Sequence, residues 1–187
     1  MGIKFNELKK HSVDYNRVKT LYKKAIPVYE RAPFWFLLSR SKSKNIMFYS
    51  INDDDLWIGF VYFIFNNNLL LIQFFAIDDG VRSKGYGGQV LTKIKSMYPE
   101  YSIVLGIEKP EDEAENNEQR IKRKIFYNKN GFHESGYYGK QNKVTMELLL
   151  YGNEFNLEKL YGLLRIFFGK YFWRVISIFF KKRIKKI

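Results

Sequence analysis

Cysteine is absent from this 187-residue sequence. Its absence excludes a disulfide framework, a thiolate-held zinc or iron–sulfur site and a cysteine acyl-enzyme. Histidine is almost absent as well: His11 and His133 are the only two. They are too few for a histidine-rich metal centre, and no metal is expected. No stretch reaches the roughly 18 uninterrupted apolar residues that a membrane-spanning helix needs. The opening Met1-Gly2-Ile3-Lys4-Phe5-Asn6-Glu7 holds no apolar signal region, and Asn6 stands where a myristoylation signal has Ser or Thr. A cytoplasmic location is expected, with contact at the inner face of a membrane left open. Acids are the scarcer charge, 19 against 32 Lys and Arg, which leaves +13. That excess favours anionic partners: phosphorylated cofactors, nucleic acid or lipid head groups.

What is abundant is apolar and aromatic. Hydrophobic residues make up 46% and aromatics 18%, enough for a sizeable core in a chain of this length. Apolar residues at helical spacing (Val18, Leu21, Tyr22, Ala25) predict a helix from Asp14 to Ala25, stopped by Pro27. A second, short and aromatic, is predicted from Pro33 to Ser41. The period then shortens. Asn45–Ile51, Leu56–Phe65 and Leu69–Ile77 read as a three-stranded meander, joined at Asn52-Asp53-Asp54-Asp55 and Asn66-Asn67-Asn68. A glycine-rich turn and a helix stopped before Pro99 follow, then a strand over Tyr101–Ile107 and an acidic loop. A helix from about Asn117 to Lys129 closes on Asn130-Gly131, and Phe132–Tyr138 with Lys143–Leu150 make a last hairpin. The order is mixed α/β without internal repeats.

The segment richest in chemistry is Asp78-Asp79-Gly80-Val81-Arg82-Ser83-Lys84-Gly85-Tyr86-Gly87-Gly88. Closely set glycines let a ligand reach the backbone N–H groups. A helix starting there adds unpaired donors and the positive end of its dipole. Such a turn suits a pyrophosphate. The Walker pattern is absent, and Val90 occupies the third glycine position of the dinucleotide fingerprint. What stands there, Arg82-x-x-Gly85-x-Gly87, resembles the acyl-CoA signature of the GNAT superfamily of N-acyltransferases. Phe126-Tyr127-x-x-x-Gly131-Phe132 resembles the ending of a later helix in the same family. Arg120-Ile121-Lys122-Arg123-Lys124 resembles the basic helix start of some bacterial members, although Arg120 stands where many members carry Asn. The resemblance covers about residues 1–152.

That resemblance implies a central mixed, mostly antiparallel sheet of about six to seven strands flanked by helices. It also implies direct transfer of an acetyl group from acetyl-CoA to an amine. Pantetheine is expected along Phe75, Ala76 and Ile77, and the phosphates on Arg82, Ser83, Lys84, Gly85, Tyr86, Gly87 and Gly88. Tyr127 falls at the family's general-acid position, with a contact to the cofactor thiol, and Glu108 is a candidate base. Each has a plainer reading, Tyr127 as a packed aromatic and Glu108 as the acid that opens the acidic loop. His133 reads as a surface histidine. Phe34, Trp35 and Phe36 lie where members build the acceptor pocket, and at least one of them is expected in the core. The competing function is a non-catalytic CoA-binding module or a membrane-associated adaptor; nucleic-acid binding is not expected.

Residues 157–187 carry nine basic side chains against one acid, +8 of the +13. Residues 153–187 are therefore separated from the 1–152 acyltransferase domain as a basic amphipathic helix. Its apolar face runs through Leu157, Leu160, Tyr161, Leu164, Phe167, Phe168, Tyr171, Phe172, Val175 and Phe179, with Trp173 on the polar side. Three partners remain open for that face: the body of the chain, a second subunit in a homodimer, or an anionic membrane surface.

Overall fold

A computed structural model describes residues 2–174, 177 and 184–186. They form a mixed α/β fold whose strands follow the hydrogen-bonded order β1-β2-β3-β4-β5-β7-β6-β8 in an eight-stranded, mostly antiparallel sheet. The chain divides into two compact units: Met1–Phe65 with Ile72–Pro99, and Asn66–Leu71 with Glu100–Ile187.

The first unit is held by aromatic packing. Helix α1 (Tyr15–Ala25) buries Val18, Leu21 and Tyr22, and α2 (Phe34–Arg40) buries Phe34 and Leu37. Strands β2 (Ile46–Asp53) and β3 (Leu56–Asn66) pair antiparallel, and β4 (Leu69–Ile77) follows, belonging to this unit from Ile72 onward. The turns between these strands use Asp54, Asn67 and Asn68 at positive φ, a backbone that Asp and Asn tolerate better than most side chains. Residues Ile58 to Ile64 are buried without a break, the pattern of a strand covered on both faces. Phe48 lies edge-on to Phe34, Phe60 and Tyr62, and Tyr22 edge-on to Phe60 and Phe74. Each such pair adds about 0.5–1.5 kcal/mol beyond the area it buries. Helix α3 (Tyr86–Met97) contributes Val90, Leu91 and Ile94 to the core.

Strand β1 (Ile3–Glu7) pairs antiparallel with β2. It is short and half polar, so its sequence gives no β signal of its own. Of the three aromatics near α2, Phe34 is core, Phe36 half-buried and Trp35 71% exposed.

The second unit builds on β5 (Ser102–Glu108), which pairs antiparallel with β7 (Val144–Tyr151). Strand β6 (His133–Gln141) pairs with β7, and α4 (Asn117–Lys129) lies against β5. The amphipathic helix expected after residue 153 begins as α5 (Leu157–Phe168). It is nucleated by Asn156, whose Oδ1 accepts from the amides of Glu158 and Lys159 at 2.8 and 3.4 Å. Its stripe of Leu160, Tyr161, Leu163, Leu164 and Phe167 is buried.

The face predicted to continue past Phe168 does not. Gly169, at φ 86° and ψ 153°, ends the helix, and the helical residues 170–174 start again in a different phase. Trp173, expected on the polar side, is therefore buried, whereas Tyr171 and Phe172 are exposed. Val175, Phe179, Lys181, Lys182 and Arg183 lie outside the described residues. Lys185 and Lys186 form β8 (Lys185–Lys186), opposite Tyr138 and Tyr137 of β6.

Burial gives the fold an alkaline limit. It pushes the Tyr22 and Tyr127 hydroxyls up to about 12 and Tyr62 higher still. Below the ordinary tyrosine value near 10, folded and unfolded chains keep these protons alike. Above it the unfolded chain loses them first, so stability falls from about pH 10 upward. Melting temperatures across that range are expected to drop steeply, with tyrosinate absorbance appearing together with unfolding. Tyrosinate forming from all tyrosines in a still-folded chain near pH 10 would contradict these burials.

Candidate functional site

The glycine-rich turn lies wholly in the first unit. It leaves β4 at Ile77 and is pinned to β3, where the Asp78 amide donates to the Ile58 carbonyl at 2.7 Å. The adjoining approach is tight: a Cβ on Gly59 would stand 2.1 Å from the Ala76 carbonyl oxygen. Asp78 Oδ2 accepts from the Gly80 amide at 3.1 Å, which winds Asp79–Val81 into a single 3-10 turn. Buried Val81 anchors that turn from below.

Arg82 is committed to the turn itself. Its Nε donates to the Ile77 carbonyl at 3.1 Å and its guanidinium pairs with Asp79 at 2.7 Å. Asp79 also pairs with Lys24 of α1. The Lys24 hydrogen bond, then Arg82, hold its carboxyl below the usual carboxylate range. Lys84 is exposed, and among the described residues nothing pairs with its ammonium.

Beyond Arg82 the backbone opens. Ser83 and Gly85 both take positive φ, 63° and 82°, and Gly85 is the cap of α3 without a side-chain hydrogen bond. Its left-handed backbone is one that glycine adopts without strain. The amides of Tyr86, Gly87 and Gly88 occupy the first helical turn, where no intrahelical acceptor exists. Residues 82–85 are exposed and 86–88 half-buried. The result is a run of helix-start amides at the positive end of a helix dipole, beside the Lys84 ammonium that is unpaired among the described residues: a cradle for a polyanion. Phe75 and Ile77 are half-buried and Ala76 buried, on the strand that runs into it.

Tyr127 and Glu108 belong to the second unit. Two hydrogen bonds explain the spacing Tyr127-x-x-x-Gly131-Phe132. The Phe132 amide donates to the Tyr127 carbonyl at 3.1 Å, and the Gly131 amide to the Asn128 carbonyl at 2.9 Å. With Gly131 at φ 76°, this is a Schellman ending, and its usual apolar contact is here between the rings of Tyr127 and Phe132, 5.6 Å apart. The motif is thus a helix stop that fixes the Tyr127 ring. Tyr127 is 9% exposed. Burial raises its pKa to about 12, against the opposing charge of Arg123, so the hydroxyl keeps its proton throughout the neutral range. Among the described residues nothing hydrogen-bonds to that hydroxyl.

Glu108 does not open the loop as a solvated acid; it is 4% exposed. Its Oε2 accepts from Asn116 Nδ2 at 3.1 Å and from the Arg123 guanidinium at 3.4 Å, and Arg120 Nε lies 3.7 Å away. Arg120, itself buried, donates to Asn116 Oδ1 at 2.8 Å and to the Lys109 carbonyl at 2.9 Å. A second buried carboxylate, Glu147, accepts from Lys124 Nζ at 3.0 Å and from the Tyr138 hydroxyl at 3.4 Å. Burial pulls Lys124 down, but Glu134 and Glu147 together hold it above its ordinary value.

Asn116 and Glu147 carry no signal of their own in the sequence, and Arg123 and Lys124 stand out there only as members of the basic helix start. The one available signal was Arg120, Arg123 and Lys124 recurring at helical spacing beside a strand-end acid. Ordinarily such a run marks a solvated face. His133 is exposed, as expected.

Among solved structures, the chain is similar to a protein from Bacteroides thetaiotaomicron described as a GNAT-family acetyltransferase. That likeness has 25% identity and TM-score 0.69, and covers 95% of this chain and 98% of that one. An aminoglycoside 6'-N-acetyltransferase complexed with coenzyme A matches at 12% identity and TM-score 0.62, over 83% of this chain and 100% of that one. A spermidine N-acetyltransferase chimera of Vibrio cholerae SpeG and hSSAT matches at 16% identity and TM-score 0.58, over 81% and 95%. No protein-family model matches the chain, and no curated protein matches it in sequence.

The Schellman ending yields a direct test. Gly131→Ala forces a side chain into the left-handed region and is expected to cost roughly 1–2 kcal/mol, read as a lower denaturant midpoint, with Gly131→Asn milder. Equal stability of all three proteins would show that the ending does not hold Tyr127.

Proposed function

We propose, from the likeness of the fold to a GNAT-family acetyltransferase, that the chain transfers an acetyl group from acetyl-CoA directly to a primary amine of a small molecule or peptide. The observation that carries the reading is the start of α3 without a side-chain cap, where left-handed Gly85 leads into the first-turn amides beside Lys84, unpaired among the described residues. Those donors suit the diphosphate of coenzyme A in number and charge. Ser83 to Gly88 and Lys84 would hold it, and Phe75, Ala76 and Ile77 would line the pantetheine. Acetyl-CoA supplies an activated acyl carbon and a thiolate leaving group.

The chain's own part in the reaction is modest. At pH 7 only roughly one in a few thousand lysine-like amines is neutral, so the site must favour that form. Tyr127 keeps its proton at neutral pH and presents a hydroxyl without a partner among the described residues, the state a donor to a departing thiolate needs. Glu108 already faces Asn116, Arg120 and Arg123, and we assign it to anchoring α4 rather than to taking the amine proton. A cysteine nucleophile is not available, which agrees with direct transfer.

Location and further contacts are part of the same proposal. No helix among the described residues is long and apolar enough to cross a membrane. The reading places the protein in the cytoplasm, where acyl-CoA is made. The α5 stripe is buried, so we assign it to packing within the chain rather than to a homodimer. Exposed Tyr171 and Phe172, between Lys170 and Arg174, support contact of that short segment with an anionic membrane surface.

Acetyl-CoA is expected to raise the melting temperature, by the equivalent of roughly 2.7 kcal/mol at a hundredfold excess over Kd, and added amines to release free thiol. Tyr127→Phe should cut turnover roughly a hundredfold while leaving the acetyl-CoA shift in place. Stabilisation without thiol release from any amine would leave a non-catalytic binding module instead. For the tail segment, vesicles of anionic lipid should sediment the protein at low salt and release it at high salt; failure to sediment at any salt removes the membrane contact.

A further inference from the structure

Two arginines of α4 approach Glu108, and they are not equivalent. Arg120 is buried, with a side chain only 8% exposed. It also bonds Asn116 and the Lys109 carbonyl, so it neutralises the carboxylate from within. Arg123 has a side chain 41% exposed and touches the same Oε2 from the rim at 3.4 Å. A carboxylate already compensated by Arg120 and Asn116 has little need of a third donor. The converse holds for Arg123: Glu108, at the end of β5, gives its guanidinium a fixed place.

That place is four residues before Tyr127 on the same helix. Side chains at this spacing share a face, with Cβ atoms about 5–6 Å apart. The apolar rings of Phe126 and Phe132 lie 5.0 and 5.6 Å from the Tyr127 ring. Arg123 is the charged residue one turn back on that face, held in place by Glu108, and its charge opposes the upward push of burial on the phenol. Glu108 on β5 and Arg120 and Lys124 on α4 are the other ionised groups nearby, each engaged in its own pair.

We propose that Arg123, held by Glu108, is a positioning residue for Tyr127: its fixed positive charge polarises the phenol O–H and makes it the better proton donor. The proposal rests on the acetyl-transfer reading. Tyr127 gives its proton to the departing sulfur as the bond to the acyl carbon breaks and its electron pair stays on sulfur. The phenolate, steadied by Arg123, recovers a proton from the ammonium that attack creates at the acceptor nitrogen. No further reactant is needed.

The test replaces Tyr127 by 3-fluorotyrosine and titrates its absorbance in the intact protein, alongside steady-state kinetics. Arg123→Met should move the titration to higher pH. It should also lower kcat roughly tenfold, the rate equivalent of one pK unit, at unchanged KM for acetyl-CoA. Arg123→Lys should recover most of both effects, and Glu108→Gln should give a smaller change in the same direction. In a Tyr127→Phe background, Arg123→Met should do nothing more. An unmoved titration, or the same tenfold loss without the phenol, overturns the proposal. If the wild-type protein acetylates no amine, the transfer reading fails, while the titration still decides whether Arg123 acts on Tyr127. Arg123→Gln serves the same comparison should Arg123→Met fold poorly.

Discussion

A carboxylate stripped of water must find counter-charge, and in the second unit that requirement is met at Glu108. The end of β5 takes its side chain out of solvent. The cost of an uncompensated buried charge exceeds what the strand gains by continuing inward. Asn116, Arg120 and Arg123 answer it from the loop before α4 and from the helix's first turns. The choice fixes which way α4 rolls. Arg120 goes in, and Ile121 and Ile125 stay 41% and 47% exposed, the reverse of an ordinary amphipathic helix. Tyr127, seven residues beyond Arg120, inherits its inward position from that roll.

The two helix ends implicated in function are built in opposite ways. At the close of α4, backbone hydrogen bonds, a left-handed glycine and a ring contact satisfy the carbonyls. That end is rigid, and what it fixes is a side chain. At the start of α3, the cap supplies no side-chain acceptor for the first amides. Unpaired backbone donors persist in a native protein only where water or a ligand can meet them. A closed end to hold an aromatic and an open end to receive an anion is an economical division, and the positions of Gly131 and Gly85 accomplish it.

Much of this was legible beforehand. Apolar runs broken by Asp and Asn clusters located β2, β3 and β4, because those turn residues tolerate the backbone the reversals need. The glycine-rich turn and the Tyr127–Phe132 motif were visible as spacing. The physical meaning of the second, a helix stop, was half visible in Asn130-Gly131. What escaped was either too short or too polar to carry a period. Strand β1 offers five mixed residues and β8 two lysines, and both exist because a neighbouring strand had an edge to pair. The tail's apolar residues trace one face on an unbroken helix; Gly169 breaks that phase, which buries Trp173 and exposes Tyr171 and Phe172.

The sequence by itself determined the kinds of element, their order and the chemistry on offer: bare amides after β4, a phenol before a helix stop, no thiol and almost no imidazole. These are local properties, written in spacing and side-chain type. The tertiary structure alone decided which charges are partners. Nothing in the sequence tells Arg82 rather than Lys84 to spend itself on Asp79, or Glu108 to sink among arginines rather than meet solvent. Those outcomes depend on which groups lose their water, and burial is a property of distant segments packing together.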